Sequence, residues 1–206
     1  MAEHGRSLDE LARAIDVADP ATGRHGRAVT VHALRLAMAI DVSLATSPTF
    51  RLGCLLHDAG KLAIPADVLG KQGPLDEAEW ALMRRHPLIG ARMCELAGAD
   101  PDVIVIVRHH HERWDGTGYP SGLAGERIPL AARILAVCDA LDAMTSERPY
   151  RERPLTRDEA LARIDAQRGR QFDPEVVDAL LHRFQRTSAL GRRLGAASDF
   201  SAAVAC

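Results

Sequence analysis

The sequence predicts an all-α fold. Apolar residues recur at helical spacing along most of the chain, helix-starting motifs punctuate it, and no stretch alternates as a strand with a second strand to pair with. Ser7-x-x-Glu10 reads as a capping box opening a helix over 8–18. Val29, Leu36 and Ile40 share one face of a longer helix over 24–45. Ser47-Pro48 is an N-cap followed by a proline at the first helical position, and that helix ends near His57-Asp58. Asp76-x-x-Glu79 is a second capping box, with a helix running to Gly98. Asp100-Pro101 opens the next helix. Its VIVIV run at 103–107 scores as strand by propensity, but nothing exists for it to pair with, so it reads as buried helix. Residues 114–129, WDGTGYPSGLAGERIP, form a loop too long and too rich in glycine to be a mere connection. Helix resumes at 130–143, at 156–167 behind the Thr156-x-x-Glu159 box, and after Asp173-Pro174. Residues 187–206 lack periodicity and are expected to fray.

With 206 residues the chain can bury a proper core, and 47% hydrophobic against 26% charged residues is an ordinary globular composition. A formal net charge of −2 leaves no basic field for a nucleic-acid backbone. The opening MAEHGRSLDE has neither a cationic nor an apolar signal region, and no apolar run approaches the roughly 20 residues of a membrane span. The expectation is a cytoplasmic protein that engages neither nucleic acid nor membrane. Cys54, Cys94, Cys138 and Cys206 form no CxxC pair, and read as small buried hydrophobes plus one tail residue in a reducing compartment. Of the 26 basic residues only Lys61 and Lys71 are lysines, which singles out Lys61 directly after the His-Asp pair.

One His-Asp dipeptide means little alone. Its company matters more. His25, His57-Asp58, His86, His110-His111 and Asp139 lie at or near the ends of five different expected helices, and all can point to one bundle centre. Five imidazoles and two carboxylates are too many for one tetrahedral ion and suit two ions of higher coordination. Mixed imidazole and carboxylate donors without a thiolate favour Fe or Mn, with Zn and Ni open. Two such ions about 3.5–4 Å apart clamp an in-line displacement at phosphorus and activate a bridging hydroxide. Asp58 is the natural bridge.

The segments HDAGK at 57–61, KQGPLDEAEWALMRRHPLIGA at 71–91, HHERWDGTGYPSGLAGERIPLAARILAVCDALDAMTSERPYR at 110–151 and QFDP at 171–174 resemble an HD-GYP domain. That subfamily of HD phosphohydrolases opens the bacterial second messenger cyclic di-GMP. The resemblance runs from about Asp19 to Phe184 and implies an HD-domain helical bundle with a Gly/Pro-rich GYP loop. It divides the chain into an N-terminal helix or extension (1–18), the catalytic domain (19–186) and the tail (187–206). It also implies that His25, His57, Asp58, His86, His110, His111 and Asp139 are metal ligands. Lys61 is implied as a phosphate-contacting cation at the attack site. Gly118-Tyr119-Pro120 is implied to shape the pocket and meet partners, and Arg148 and Arg151 to contact the dinucleotide's phosphates or bases. Three-metal relatives carry Glu where this chain has Ala21, so two metals are expected and a third is not. Relatives often place Arg where Ala28 stands, with Arg27 beside it.

The implied reaction is hydrolysis of cyclic di-GMP to linear pGpG, with GMP as a further product and the metal-bridging hydroxide as nucleophile. Two alternatives stand beside it. One is a non-catalytic docking module whose GYP loop meets a GGDEF-type cyclase or a separate regulatory protein. The other is the same chemistry on another nucleotide, such as cyclic GMP-AMP. Several residues have plainer readings. His4, His32 and His182 are ordinary surface or core histidines, and His109 points away from the site. Lys71 is a loop or capping residue. Asp142 hydrogen-bonds a ligand histidine or a helix end rather than binding metal, Asp115 and Glu112 fix the loop, and Trp80 and Trp114 are core.

Overall fold

The computed structural model describes residues 2–147 and 153–185, with side chains from Leu8 onward. Its helices are α1 (Ala2–Ala18), α2 (Pro20–Ile40), α3 (Val42–Ala45), α4 (Pro48–Leu56), α5 (Ala66–Leu69), α6 (Glu77–Met83), α7 (His86–Leu96), α8 (Pro101–His109), α9 (Leu130–Thr145), α10 (Arg157–Asp165) and α11 (174–185). Short 3-10 turns occupy Ala59–Ala63 and Gly125–Arg127, and the described residues contain no strand. The VIVIV run is helix, with Val103, Ile106 and Val107 buried. Arg148, Arg151 and the tail from 186 onward lie outside the described residues.

Capping chemistry sets most of the starts. Asp19 accepts from the backbone N–H groups of Ala21 and Thr22 at 3.0 and 3.3 Å, so α2 begins at Pro20 rather than at 24. Ser47 accepts from Phe50, and the boxes at Asp76/Glu79 and Thr156/Glu159 both close reciprocally. The Ser7 box does not open a helix, because α1 already starts at Ala2.

Two long helices expected from periodicity are broken. At Asp41 the backbone turns extended, and its carboxylate caps Ser43 and Leu44 to start α3. The helix expected from Asp76 to Gly98 stops at Met83 and restarts at His86. Pro87 explains this break: it has no N–H to offer the Met83 carbonyl four residues back. That carbonyl accepts instead from the His86 ring nitrogen Nδ1 at 2.7 Å.

Two apolar clusters hold the bundle. In the larger, Val29 and Leu36 of α2 meet Phe50 and Cys54 of α4, Ile134 and Leu135 of α9, Ile164 of α10, and Val176 and Leu180 of α11. Leu36 and Phe50 are essentially fully buried, each contributing roughly 1.5–3 kcal/mol through removal from water. In the smaller, Ile15 of α1 reaches Leu56, Ala59, Ala91, Cys94, Val103 and Val107. Cys54, Cys94 and Cys138 are buried free thiols. The site lies where the ends of α4, α6 and α8 approach α2 and α9.

Candidate metal centre

Three histidines reach the centre by one local device. His57 follows α4, His86 follows α6 by three residues, and His110 follows α8. Each donates Nδ1–H to the carbonyl three residues back, of Cys54, Met83 and Val107 respectively, at 2.7 Å in every case. Helix ends leave carbonyls without N–H partners, so a histidine placed there satisfies one and locks its own ring. A carbonyl can only accept, so Nδ1 must carry the hydrogen. Burial lowers the pKa of His86 and holds that of His110 well below the ordinary histidine value, which keeps these rings neutral. Their Nε2 lone pairs therefore face inward.

Asp58 sits among them. Its Oδ1 lies 3.4 Å from His86 Nε2, and its Oδ2 lies 3.4 Å from His57 Nε2 and 3.9 Å from His25 Nε2. Lys61, one 3-10 turn on, donates to Oδ2 at 2.6 Å. Burial opposes ionisation of Asp58, but Lys61 and the surrounding imidazoles outweigh it and hold the carboxyl well below the usual range. The approach of the HDAGK turn to α7 needs glycine. A Cβ on Gly60 would lie 2.0 Å from the His86 carbonyl oxygen and 2.6 Å from Gly90 N.

His25 comes from α2 and meets α9. Its Nε2 lies 2.9 Å from Asp139 Oδ1, and its Nδ1 bonds Asp142 Oδ2 at 2.6 Å. Burial lowers its pKa, but hydrogen bonds donated to these two carboxylates outweigh that and bring it to about 9. The His25 hydrogen bond likewise overcomes burial at Asp139 and keeps that carboxyl ionised. His111 packs its ring against His110 and His86, with centroids 4.1 and 4.9 Å apart, and burial drops its pKa to about 3.

Seven expected ligands thus meet in two groups: His25, His57 and Asp58, and His86, His110 and His111, with Asp139 beside His25. Within each group of three, one donor atom per residue lies within 4.8 Å of the others. Two further features fit metal binding. His57 Nε2 is buried and makes no hydrogen bond, and His86 Nε2 faces His110 Nε2 at 3.3 Å with no proton between them. Both arrangements leave lone pairs that a cation would satisfy.

The GYP loop closes one side. Gly118 packs so tightly that a Cβ would sit 2.3 Å from Arg113 N, and Tyr119 N donates to the His111 carbonyl at 3.2 Å. The Tyr119 ring lies 5.0 Å from that of His111, and the Tyr119–Pro120 bond is cis. Glu112, fully buried, accepts from the backbone N–H groups of Ser121 and Leu123 at 2.7 and 3.1 Å. Asp115 ties Thr117 and Arg113. His109 turns to Glu112, 3.4 Å away, and not to the centre. Arg133 pairs with buried Asp173 at 2.5 Å and lies over Trp114, so the QFDP segment braces the loop from behind.

Among the plainer readings, Lys71 pairs with Glu79, and Arg27 pairs with Asp16 rather than reaching His25. Trp114 is half-buried. Trp80 departs from expectation: it is 46% exposed, not core, because the break after Met83 leaves the short α6 on the surface. Among the described residues, no helix is long and apolar enough to cross a membrane.

A family model described as HD domain matches residues 10–176. The cyclic di-GMP phosphodiesterase response regulator RpfG of Xanthomonas campestris is 46% identical over 85% of this chain and 47% of its own length. The 3'3'-cGAMP-specific phosphodiesterase 2 of Vibrio cholerae is 35% identical over 87% of this chain and 35% of its own. The chain therefore spans less than half the length of either relative. Among solved structures, Bd1817, an HDG"Y"P protein from Bdellovibrio bacteriovorus, aligns with a TM-score of 0.66 at 20% identity, covering 88% of this chain and 63% of that one, and shares the fold. With its helical bundle, its His57-Asp58 pair and its Gly118-Tyr119-Pro120 loop, the chain belongs to the HD domain family.

Proposed function

We propose that the chain hydrolyses a phosphodiester bond of a cyclic dinucleotide, cyclic di-GMP first, to the linear pGpG. The observation that carries this reading is the position of Asp58, one carboxylate oxygen turned to His86 and the other to His57 and His25. A carboxylate so placed, among both groups of donors, would help to hold a pair of metals. His25, His57, Asp58, His86, His110, His111 and Asp139 would hold them, and a donor set of imidazoles and carboxylates without thiolate suits Fe(II) or Mn(II). When bound, the two metals supply Lewis acidity to the phosphoryl oxygens and to the attacking water.

The chain's own groups do the rest. Asp142 holds the His25 ring through Nδ1, and the Cys54, Met83 and Val107 carbonyls hold the other three, so the Nε2 atoms are oriented before substrate arrives. Lys61, about a quarter exposed, donates to Asp58 Oδ2 at 2.6 Å and would meet a phosphoryl oxygen as charge develops there. Water's oxygen bonds to phosphorus and gives up a proton, the P–O3′ bond breaks, and the departing O3′ takes up a proton, so that none is gained or lost. Arg148 and Arg151 would grip the remaining phosphate or a base, and Tyr119 would line the pocket. The similarity to a 3'3'-cGAMP-specific phosphodiesterase supports a second substrate, cyclic GMP-AMP, by the same chemistry. The complete set of candidate ligands disfavours a docking module that has lost catalysis, although contact between the GYP loop and a cyclase or regulatory protein is compatible with either reading.

The test is turnover of cyclic di-GMP by protein purified without oxygen and loaded with Fe(II) or Mn(II), products being separated by chromatography. pGpG should form with the parent chain and not with Asp58→Ala. Turnover by the variant, or two bound metals with no turnover of either dinucleotide, would overturn the reading.

A further inference from the structure

Beside the centre stands a short row of side chains that the hydrolysis itself does not need. The Tyr119 ring adjoins His111, and Arg84 Cζ lies 6.0 Å from the Tyr119 centroid and 5.9 Å from that of Trp80. Arg84 is two residues from His86, on the segment that Pro87 breaks open. Trp80 is 46% exposed and Arg84 is exposed, and the guanidinium donates to no acceptor among the described residues. Two aromatic faces within cation–π reach hold the guanidinium plane and leave its N–H edge unused. An exposed tryptophan beside a presented arginine is chemistry suited to a nucleobase: a ring to stack on, and a planar donor fork for an edge bearing two acceptors.

We infer that Trp80 and Arg84 form the base-recognition platform of this site, Trp80 stacking on the base and Arg84 selecting guanine. Guanine presents O6 and N7, two acceptors matched to the fork. Adenine presents N7 beside an amino donor, which the fork meets with a donor of its own. Tyr119, against His111 on one side and Arg84 on the other, joins this rim to the centre. The inference rests on the cyclic dinucleotide reading of the substrate, and it adds which base the chain prefers and which residues choose it.

The experiment compares Mn(II)-loaded parent, Arg84→Ala, Arg84→Lys and Trp80→Ala on cyclic di-GMP, cyclic di-AMP and bis(p-nitrophenyl) phosphate, a diester without a base. Arg84→Ala should raise KM for cyclic di-GMP about 5- to 150-fold, the worth of one bidentate contact, while kcat changes little. The preference for cyclic di-GMP over cyclic di-AMP should fall by the same factor. Arg84→Lys keeps the charge but not the fork, and should recover little of that preference. Equal losses on all three substrates, or an unchanged KM for cyclic di-GMP, would overturn the platform.

A second arm needs no turnover. GMP should quench tryptophan fluorescence more strongly than AMP, the difference shrinking in Arg84→Ala and the quenching vanishing in Trp80→Ala. Indifference between GMP and AMP would overturn the proposal. Parent protein that cleaves the base-free diester but neither dinucleotide would sink the substrate reading, and the fluorescence arm would still decide the platform.

Discussion

His86 and His110 face one another through Nε2 atoms 3.3 Å apart, and the Nδ1–H of each is already given to a backbone carbonyl. Two neutral imidazoles in that pose oppose lone pair to lone pair. A divalent cation beside them turns the repulsion into coordination, so metal content and stability should be linked. Adding Mn(II) at about 100 times its dissociation constant should stabilise the fold by about 2.7 kcal/mol. His110→Ala should lose both the bound metal, read by elemental analysis, and the rise in Tm.

Asp142 accepts from the Nδ1 of His25 at 2.6 Å and acts on the centre through that ring. Asp142→Asn keeps the volume but weakens the hold on Nδ1. Metal affinity or activity should fall about 10- to 100-fold with the helical circular dichroism unchanged. An unaltered metal titration would show that His25 needs no such support.

Gly60→Ala places a methyl group 2.0 Å from the His86 carbonyl and 2.6 Å from Gly90 N, both backbone atoms that cannot swing aside. Overpacking of this kind costs roughly 1–3 kcal/mol. Urea unfolding should register that loss. Metal binding should weaken with it, because the same contact sets His86 against Asp58.

Glu112 is buried and accepts two backbone N–H groups of the GYP loop. Glu112→Ala leaves both donors without a partner, at about 1–3 kcal/mol apiece. Amide hydrogen exchange at Ser121 and Leu123 should quicken markedly while exchange in α9 stays slow. Equal protection in the variant would refute the anchoring role.

Glu159 closes the α10 capping box and pairs with exposed Arg153. The Arg153 hydrogen bond, with the Thr156 bonds, lowers its pKa from the ordinary 4.5 to about 2. A carboxyl lowered on folding contributes stability above its unfolded pKa and loses it as pH falls through the folded one. The Tm difference between parent and Glu159→Gln should therefore be full at neutral pH and shrink between about pH 4.5 and 2.

Much of this was readable from residue order, because its causes are local. Ser47-Pro48, Asp76/Glu79 and Thr156/Glu159 start helices through side chains that reach only two or three residues; Asp19-Pro20 does the same, four residues before the start that periodicity indicates. Candidate donors were legible as residue types at helix ends: His57, His86 and His110 each stand where a carbonyl three residues back is available. The break at Arg84–Arg85 was also written in the sequence, in the missing N–H of Pro87, although periodicity runs straight through it.

Tertiary structure decided what depends on approach between distant segments. That His25 of α2 meets Asp139 and Asp142 of α9, more than a hundred residues away, follows from how α2 packs against α9. That His86 faces His110 follows from the packing of α7 against α8, and that it faces Asp58 from Gly60 letting the HDAGK turn touch α7. Trp80 is apolar and lies in a helical pattern, so its type argues for burial; only the packing that leaves α6 outside the core puts it on the rim beside Arg84. Local hydrogen bonds can be read along a chain because their partners are neighbours in it. Which ring ends up opposite which carboxylate depends on the close packing of side chains brought together from the whole length of the fold.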